Sequence, residues 1–325
     1  MDAKIFGMPD CVITVEYSSE EEWLELRKEG IGGSDAGAVM GLNKYTSPLK
    51  LFKIKRGIYT DSSDNVYTKK GKSLERLIFE DYVVPDPDFA TYTLHRPKCT
   101  FINTHYPWLR ANCDAFATAP NTDYNTVIEI KWVSEYAEVN WNEDEYCGVP
   151  ASYYAQVQHY MTVTGAKYAV IYALFDKDWT VRKYHIPYDI SFSLKLISQT
   201  REFYSMLLTG TAPKVSATLD KEFLTDMLES SPSVTEVSSE MSDIAAEYLV
   251  RKTELKESEK QVNALYDKLV SMYLEGKRPT DAFKMSMSTC KHTGFDTKRF
   301  ADEHPDVYEQ YKTTSEYTRT TVRKR

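Results

Sequence analysis

Asp114, Glu129 and Lys131 stand in two short runs, ANCDAF and TVIEIKWV, separated by a Pro- and Asn-containing turn. Strand alternation sends Val127, Glu129 and Lys131 to one face, and Ile128, Ile130 and Trp132 to the other. A strand that can hide its second face has no packing reason to carry a charge pair there. That face is therefore either solvent or the floor of a site. Asp114 shares a face with Asn112 and Phe116, and a hairpin-like return brings it beside Glu129 and Lys131. Two carboxylates on adjacent strands can hold a hard divalent ion, with the backbone carbonyl of Ile130 as a third ligand. Mg²⁺ accepts such oxygen donors and keeps several waters. The ion would lower the pKa of a bound water, orient a phosphate and stabilise charge on the leaving oxygen. Lys131 would position and polarise the water, and its role is electrostatic, because two carboxylates favour the protonated amine. This D…ExK spacing is the sequence form of a hydrolytic metal site. The ExK triplet alone also occurs on exposed strands, so a solvated sheet edge is the competing reading.

The elements that must position these residues follow from periodicity. Residues 19–30, SEEEWLELRKEG, predict a short helix with acids early and bases late. The turn GIGGSDAGAVMG follows, with Ser34 or Asp35 as N-cap of a second helix. SPLKLFKIKRG and residues 70–84 read as helices, the latter with Leu74, Leu77, Ile78 and Asp81 at helical spacing, Glu75 on the flank and PDPD as the stop. Residues 91–102, 108–118 and 126–133 alternate like strands. Residues 151–164 form a helix with Tyr153, Val157, Tyr160 and Thr164 on one stripe; Gln156 reads as a surface amide, Tyr160 as core and His159 as a flank residue. KYAVIYALF and TVRKYHIPY make an antiparallel pair around DKDW, and a helix spans roughly 192–208. This order predicts an α/β fold of the α+β type, with a mixed central sheet flanked by helices.

The chain has 325 residues, which suits a main domain plus an appendage. A core domain over 1–212 is expected, then a Ser-rich linker or loosely packed segment over 213–240. Over 241–275, Ile244, Tyr248, Leu255, Val262, Leu265, Leu269 and Met272 fall near a heptad pattern interrupted by Arg251 and Ser258, which predicts a helix, a hairpin or a short coiled coil. The segment 276–325 is polar and ends RTTVRKR; from Phe283 onward it holds nine Lys/Arg and six Asp/Glu, a mildly basic balance suited to phosphates or to a solvated tail. A net charge of −8 gives no global argument for nucleic acid, so an acidic nuclease would need a localised basic groove. Five scattered cysteines without a CxxC pair argue against a disulfide framework, and with no His cluster against zinc. GIGGSD lacks the GK[ST] ending of a phosphate-binding loop, so ATP is not expected. No signal peptide or membrane span is expected, and a cytoplasmic compartment is the simplest reading.

Taken in order, GIGGSDAGAVMG, GKSLERLIFEDYV, ANCDAF, IEIK and GVPASYYAQVQHYMTVTG resemble the motifs of the YqaJ viral recombinase family, related to the phage lambda exonuclease within the PD-(D/E)XK nucleases. The resemblance covers about residues 19–210 and implies a restriction-endonuclease-like core with a helical C-terminal extension. It implies that Asp114 and Glu129 bind metal, that Lys131 is the catalytic lysine, that Glu75 is an additional acid near the metal, and that Gln156 is the active-site glutamine. Read without it, Glu75 is an exposed helix residue. Arg27 and Ser34 match the pair that binds the 5′-terminal phosphate; the bland alternative is a helix end and a helix cap. Mg²⁺, with Mn²⁺ as a substitute, is the implied cofactor, and the cysteines lack the arrangement of relatives with an iron–sulfur cluster. The implied activity digests double-stranded DNA from its ends, 5′ to 3′, beside a single-strand annealing partner and as a ring-shaped trimer. An internally cutting endonuclease of the same fold and a non-catalytic DNA-end-binding or scaffold protein are the alternatives.

Overall fold

The computed structural model describes residues 3–60, 66–120, 125–141, 146–229, 238–280, 283, 285–287, 289 and 296–313. They divide into two compact units, Met1–Asp220 and Lys221–Arg325.

The first unit opens with β1 (Val12–Glu16), α1 (Glu20–Lys28), β2 (Ile31–Gly32), α2 (Gly33–Val39), α3 (Pro48–Lys55) and α4 (Val66–Ile78). Ser19 caps α1, its hydroxyl accepting from the Glu22 N–H, and Ser47 caps α3 in the same way from Lys50. The cap of α2 lies two or three residues before the expected one: Gly32 is the N-cap, and Asp35, three residues on, accepts the Gly32 N–H at 2.8 Å. The side chain needed to satisfy that end comes from inside the helix, which leaves Ser34 available for another partner. After α4 the chain widens into a single π-helical turn, Phe79–Val83, of the kind that often borders functional sites.

Next come β3 (Thr93–His95), β4 (Cys99–Asn103), β5 (Leu109–Arg110), β6 (Ala115–Thr118), β7 (Asn125–Val133), α5 (Ala151–Thr164), β8 (Tyr168–Phe175), β9 (Thr180–Pro187) and α6 (Ile190–Thr209). The central sheet has the order β3-β6-β7-β8-β9. Only β7 and β8 run parallel; the other neighbours are antiparallel. A parallel pair needs a crossover, and α5 is that crossover. Two runs expected as continuous strands are each split. Residues 91–102 break at Arg96–Lys98, where Pro97 lacks an N–H for a ladder. Residues 108–118 break at Asn112–Asp114, where the Asn112 amide instead donates to the Cys99 carbonyl and the Thr100 hydroxyl at 3.2 and 3.0 Å. Each break frees side chains that the site uses.

The two faces of β7 enter different apolar clusters, as alternation predicts. Val127 packs with Phe116, Val157 and Tyr160, while Ile128 and Ile130 pack with Ile78, Val83 and Tyr172. Helix α5 is buried from Tyr154 to Thr164 without interruption, so it is a central helix and not an amphipathic surface one. His159 is consequently not a flank residue. It is fully buried, its Nε2 lies 3.0 Å from the Arg110 carbonyl, and burial holds its pKa down to about 4. Gln156 is not a surface amide, with 6% of the residue exposed.

The first unit extends beyond the expected boundary at 212. Asp220 is fully buried, accepting from the Ser47 hydroxyl at the start of α3 and from the Ser216 N–H at 2.6 Å. Residues 213–220 are therefore anchored chain. The second unit contains α7 (Lys221–Glu229), α8 (Ser239–Leu274), α9 (Thr297–Glu303) and α10 (Pro305–Tyr311). The expected helix, hairpin or coiled coil is one continuous helix of 36 residues. The basic ending RTTVRKR lies outside the described residues.

Close approach of α2 to α5 depends on glycine. A Cβ on Gly33 would meet the Tyr160 ring at 2.3 Å, and one on Gly37 would meet the Ser152 Cα and Cβ at 3.0 Å. Overpacking of this kind costs about 1–3 kcal/mol. Gly33→Ala is expected to lower the unfolding free energy by that amount, read as a lower urea midpoint with an unchanged slope; an unaltered midpoint would show that α2 is free to move away.

Candidate active site

Pairing of β6 with β7 ends at Ala115 opposite Ile128, so Asp114 lies one residue past the ladder, next to Glu129. Its carboxylate takes the place of the missing strand: Oδ2 accepts the Ile130 N–H at 2.8 Å. A strand residue directs its N–H and C=O to the same side, so the Ile130 carbonyl also faces the Asp114 side. Glu129 projects from the opposite face of Ile130, toward α5. Its Oε1 accepts from Lys131 Nζ at 2.5 Å and from Gln156 Nε2 at 2.6 Å. Gln156 also donates to the Tyr160 hydroxyl at 3.0 Å, one helical turn along α5. Lys131 lies over the Tyr153 ring, 4.9 Å from its centroid.

The two oxygens of Glu129 differ sharply. Oε1 has two donors, whereas Oε2 is buried and finds no hydrogen-bond partner among the described residues. An orphaned carboxylate oxygen in a nearly closed site is costly, about 1–3 kcal/mol or more. Burial first, and then the Glu129 charge, raise Asp114 to about 7; burial likewise raises Glu129, against the pull of Lys131. Burial alone would lower the Lys131 ammonium, but Glu129 and Asp114 outweigh it and hold the group protonated. The three groups thus share too little positive charge for two ionised carboxyls. A hard divalent cation fits this set, because it supplies the missing charge and a partner for Oε2. Asp114, Glu129 Oε2 and the Ile130 carbonyl are the oxygen donors that could hold it.

Glu75 reaches the same cleft from α4. The cleft has a volume of about 730 Å³ and is walled by Tyr17, Trp23, Glu75, Arg96, Asn112 and Asp114, among others. Burial and then the Asp114 charge raise the Glu75 pKa, while Arg96 opposes the rise through an ion pair. Among the described residues no group of three or more His, Cys, Asp or Glu side chains is gathered tightly enough to hold a metal. Glu75 therefore stands near the carboxylate pair but is occupied by Arg96.

The second predicted pair is also brought together. Arg27 Nη2 donates to Ser34 Oγ at 2.7 Å, beside a cavity of about 470 Å³ that Lys28, Asn43 and Thr46 also line. Behind it, Asp35 binds Lys55 Nζ at 2.6 Å and lies 3.8 Å from Arg27. Lys55 and then Arg27 hold the buried Asp35 carboxyl below its usual range despite the penalty of burial.

All seven predicted site side chains lie within one span that family comparison recognises. Residues 22–167 match the YqaJ-like viral recombinase domain. The resemblance read from the motifs is borne out. Over 315 residues the chain is 27% identical to Uncharacterized protein YqaJ of Bacillus subtilis (strain 168), covering 93% of each chain. Among solved structures it is similar to an alkaline exonuclease, LHK-Exo, from Laribacter hongkongensis, with 19% identity, a TM-score of 0.45, and coverage of 58% of this chain and 93% of that one. A phage related exonuclease from Haemophilus somnus 129PT is 14% identical, with a TM-score of 0.39 and coverage of 56% and 96%. Within residues 22–167, sequence reasoning missed the roles of Arg96, Tyr153 and Tyr160. Arg96 sits in the turn HRPK, whose sequence carries no spacing signal toward Glu75. Tyr153 and Tyr160 were legible only as an apolar stripe.

A raised carboxyl pKa in the folded state means that stability is fully present below the unfolded value and is lost as pH rises through the folded one. For Asp114 that window runs from its ordinary 3.8 to about 7. In chelator, Asp114→Asn is expected to gain stability over the parent as pH rises from 4 to 8, by about 1–3 kcal/mol at pH 8. Urea unfolding at both pH values measures it, and a pH-independent difference would refute the assigned cause.

Proposed function

We propose that this protein is a Mg²⁺-dependent deoxyribonuclease that digests double-stranded DNA from its ends, 5′ to 3′, and leaves 3′ single strands for phage-type recombination. The observation that carries the reading is the half-satisfied Glu129 carboxylate, with Lys131 and Gln156 on one oxygen and the other left for a cation beside Asp114. A bound Mg²⁺, or Mn²⁺ in its place, would acidify a water and offset charge on the leaving oxygen. The chain's own residues do the rest. Asp114 and Glu129 supply the oxygen donors, and Gln156 fixes the Glu129 rotamer. Lys131, kept protonated by its neighbours, orients the attacking water and the phosphate and opposes the negative charge that develops on the non-bridging oxygens. It does not serve as the base, since the two carboxylates outweigh the burial that alone would favour the neutral amine. Glu75, released from Arg96, would add a carboxylate at the edge of the same set.

The Arg27–Ser34 pair supports action at ends over internal cutting. A guanidinium and a hydroxyl converging on one cavity suit a terminal phosphate, which carries more charge and more acceptors than a bridging one. Contacts of this kind position the duplex without reading its sequence, and their affinity falls with salt. The family resemblance adds a single-strand annealing partner and a ring trimer to this proposal, and a cytoplasmic setting where host DNA is reached.

Digestion of strand-specifically labelled duplex, with and without Mg²⁺, is expected to show metal-dependent loss from the 5′ end and no cutting of covalently closed circles. Glu129→Gln and Lys131→Ala are expected to retain duplex binding and to lose at least about 10²-fold in rate; parental rates in both would overturn the assignment, and binding without any cutting by the parent would favour a scaffold. Arg27→Ala is expected to reduce the rate on 5′-phosphorylated ends selectively. Equal loss on 5′-hydroxyl ends would remove the phosphate pocket from the account.

A further inference from the structure

Helix α8 has no buried residue along its 36 positions. The apolar residues noted above, together with Met241, are all exposed, from 39% for Met272 to 74% for Met241. Their spacing alternates three and four without a slip from Met241 to Met272, with Arg251 and Ser258 filling the two remaining places. A stripe meant for a straight helix packed on its own domain follows 3.6 residues per turn. A strict seven-residue repeat drifts by about 20° per heptad on such a helix and stays in line only when two helices supercoil. Among the described residues of the second unit the other helices are α7 with nine residues and α9 and α10 with seven each, every one too short to cover a seam of roughly 50 Å. The seam is built for a helix of its own length.

We propose that α8 pairs with α8 of a second copy of this chain as an antiparallel coiled coil. Charge selects both the partner and the direction. With Met241 and Ile244 as the first a and d positions, Glu247, Glu254, Gln261 and Lys268 are g residues, and Lys252 and Glu259 are e residues. In an antiparallel pair centred between Leu255 and Ser258, Glu247 faces Lys268 of the second copy and Lys252 faces Glu259 of the second copy. Symmetry makes each pair occur twice. Arg251, which in the lone helix is held only by Glu254 at 3.2 Å and Glu247 at 3.8 Å, then lies opposite Val262 and next to Glu259 of the second copy. A parallel, in-register pair would stack Arg251 on Arg251 and set Glu254 against Glu259. Its one favourable contact, Glu247 with Lys252, does not offset both.

This pairing is independent of the nuclease reading and carries a twofold axis whatever the first unit does. The test uses the full chain and measures its mass by sedimentation across a concentration series. With the first unit in the proposed ring trimer the parent is expected at six chains, and with the first unit monomeric at two. Leu255→Lys is expected to halve the mass while the helical circular dichroism of the chain is retained. Glu247→Lys is expected to weaken association by roughly tenfold or more. Adding Lys268→Glu should restore it, and adding Lys252→Glu should not. Equal masses for the parent and Leu255→Lys overturn the proposal, and so would a seam taken by a different protein. Rescue by Lys252→Glu instead of Lys268→Glu overturns the antiparallel arrangement.

Discussion

Glu129 carries its carboxylate into the middle strand of the central sheet, where 2% of the residue remains exposed. Removing an ion from water costs several kcal/mol unless partners surround it. Lys131 meets part of that need from two residues along the strand, and Gln156 meets part from the crossover helix. Both act on one oxygen, and the second is left unsatisfied. The rest of the unit is arranged around this constraint. A parallel β7–β8 pair requires α5 between its strands, and α5 lies over the charged face of β7. Tyr160 takes the other contact of Gln156, and Gly33 lets α2 pack directly against the Tyr160 ring. One run of contacts, Gly33–Tyr160–Gln156–Glu129, therefore links the helix that carries Ser34 to the strand that carries the carboxylate.

Charge in this chain is balanced locally. The sum of −8 argues against an affinity for DNA only if the acids are free. Several of the buried or half-buried ones are not. Asp35 is bound by Lys55, Glu75 by Arg96, and Asp86 by Lys183 at 2.9 Å and by the Tyr172 hydroxyl at 2.6 Å. Each pair ties a cation to a structural role, buried at Lys55 and partly exposed at Arg96 and Lys183. At the two cavities this leaves Arg27, shared between Ser34 and Asp35, at one, and the under-neutralised Asp114 at the other.

The strand carrying Glu129 and Lys131 was legible in the sequence because period-two alternation between Ile and charge has few physical explanations. Helix limits at Ser19, Ser47 and 151–164 were legible because capping and apolar periodicity are local. What escaped was set by contacts distant in sequence. Gln156 and His159 look like polar helix residues, and nothing nearby in the chain shows that α5 is enclosed on every side. Arg96 meets Glu75 across 21 positions and a π-helical turn, and no pattern encodes that meeting. Gly32 displaced Ser34 and Asp35 as the helix cap because Asp35, at the third position, was drawn back to the Gly32 N–H by the same burial that pairs it with Lys55. The family motifs did what periodicity could not, since they tie residues together by their recurrence and not by their neighbourhood.

Helices α5 and α8 show why the two units call for different arguments. In α5 most polar side chains are buried and find partners in their own turn or in neighbouring segments, His159 Nδ1 excepted: Thr162 donates to the Gln158 carbonyl at 2.8 Å, and Thr164 to that of Tyr160 at 2.7 Å. Its period carries little information, because every direction is inward. In α8 nothing is inward, and its period is the whole of the information. A helix that is apolar along one line and charged elsewhere gains little from its own backbone in water, where most helical stability comes from covering the apolar face. The relation to YqaJ of Bacillus subtilis runs over 315 residues, too many to be confined to the first 220. The candidate site lies in the enclosed unit, and the open helix answers to a requirement that this site does not impose.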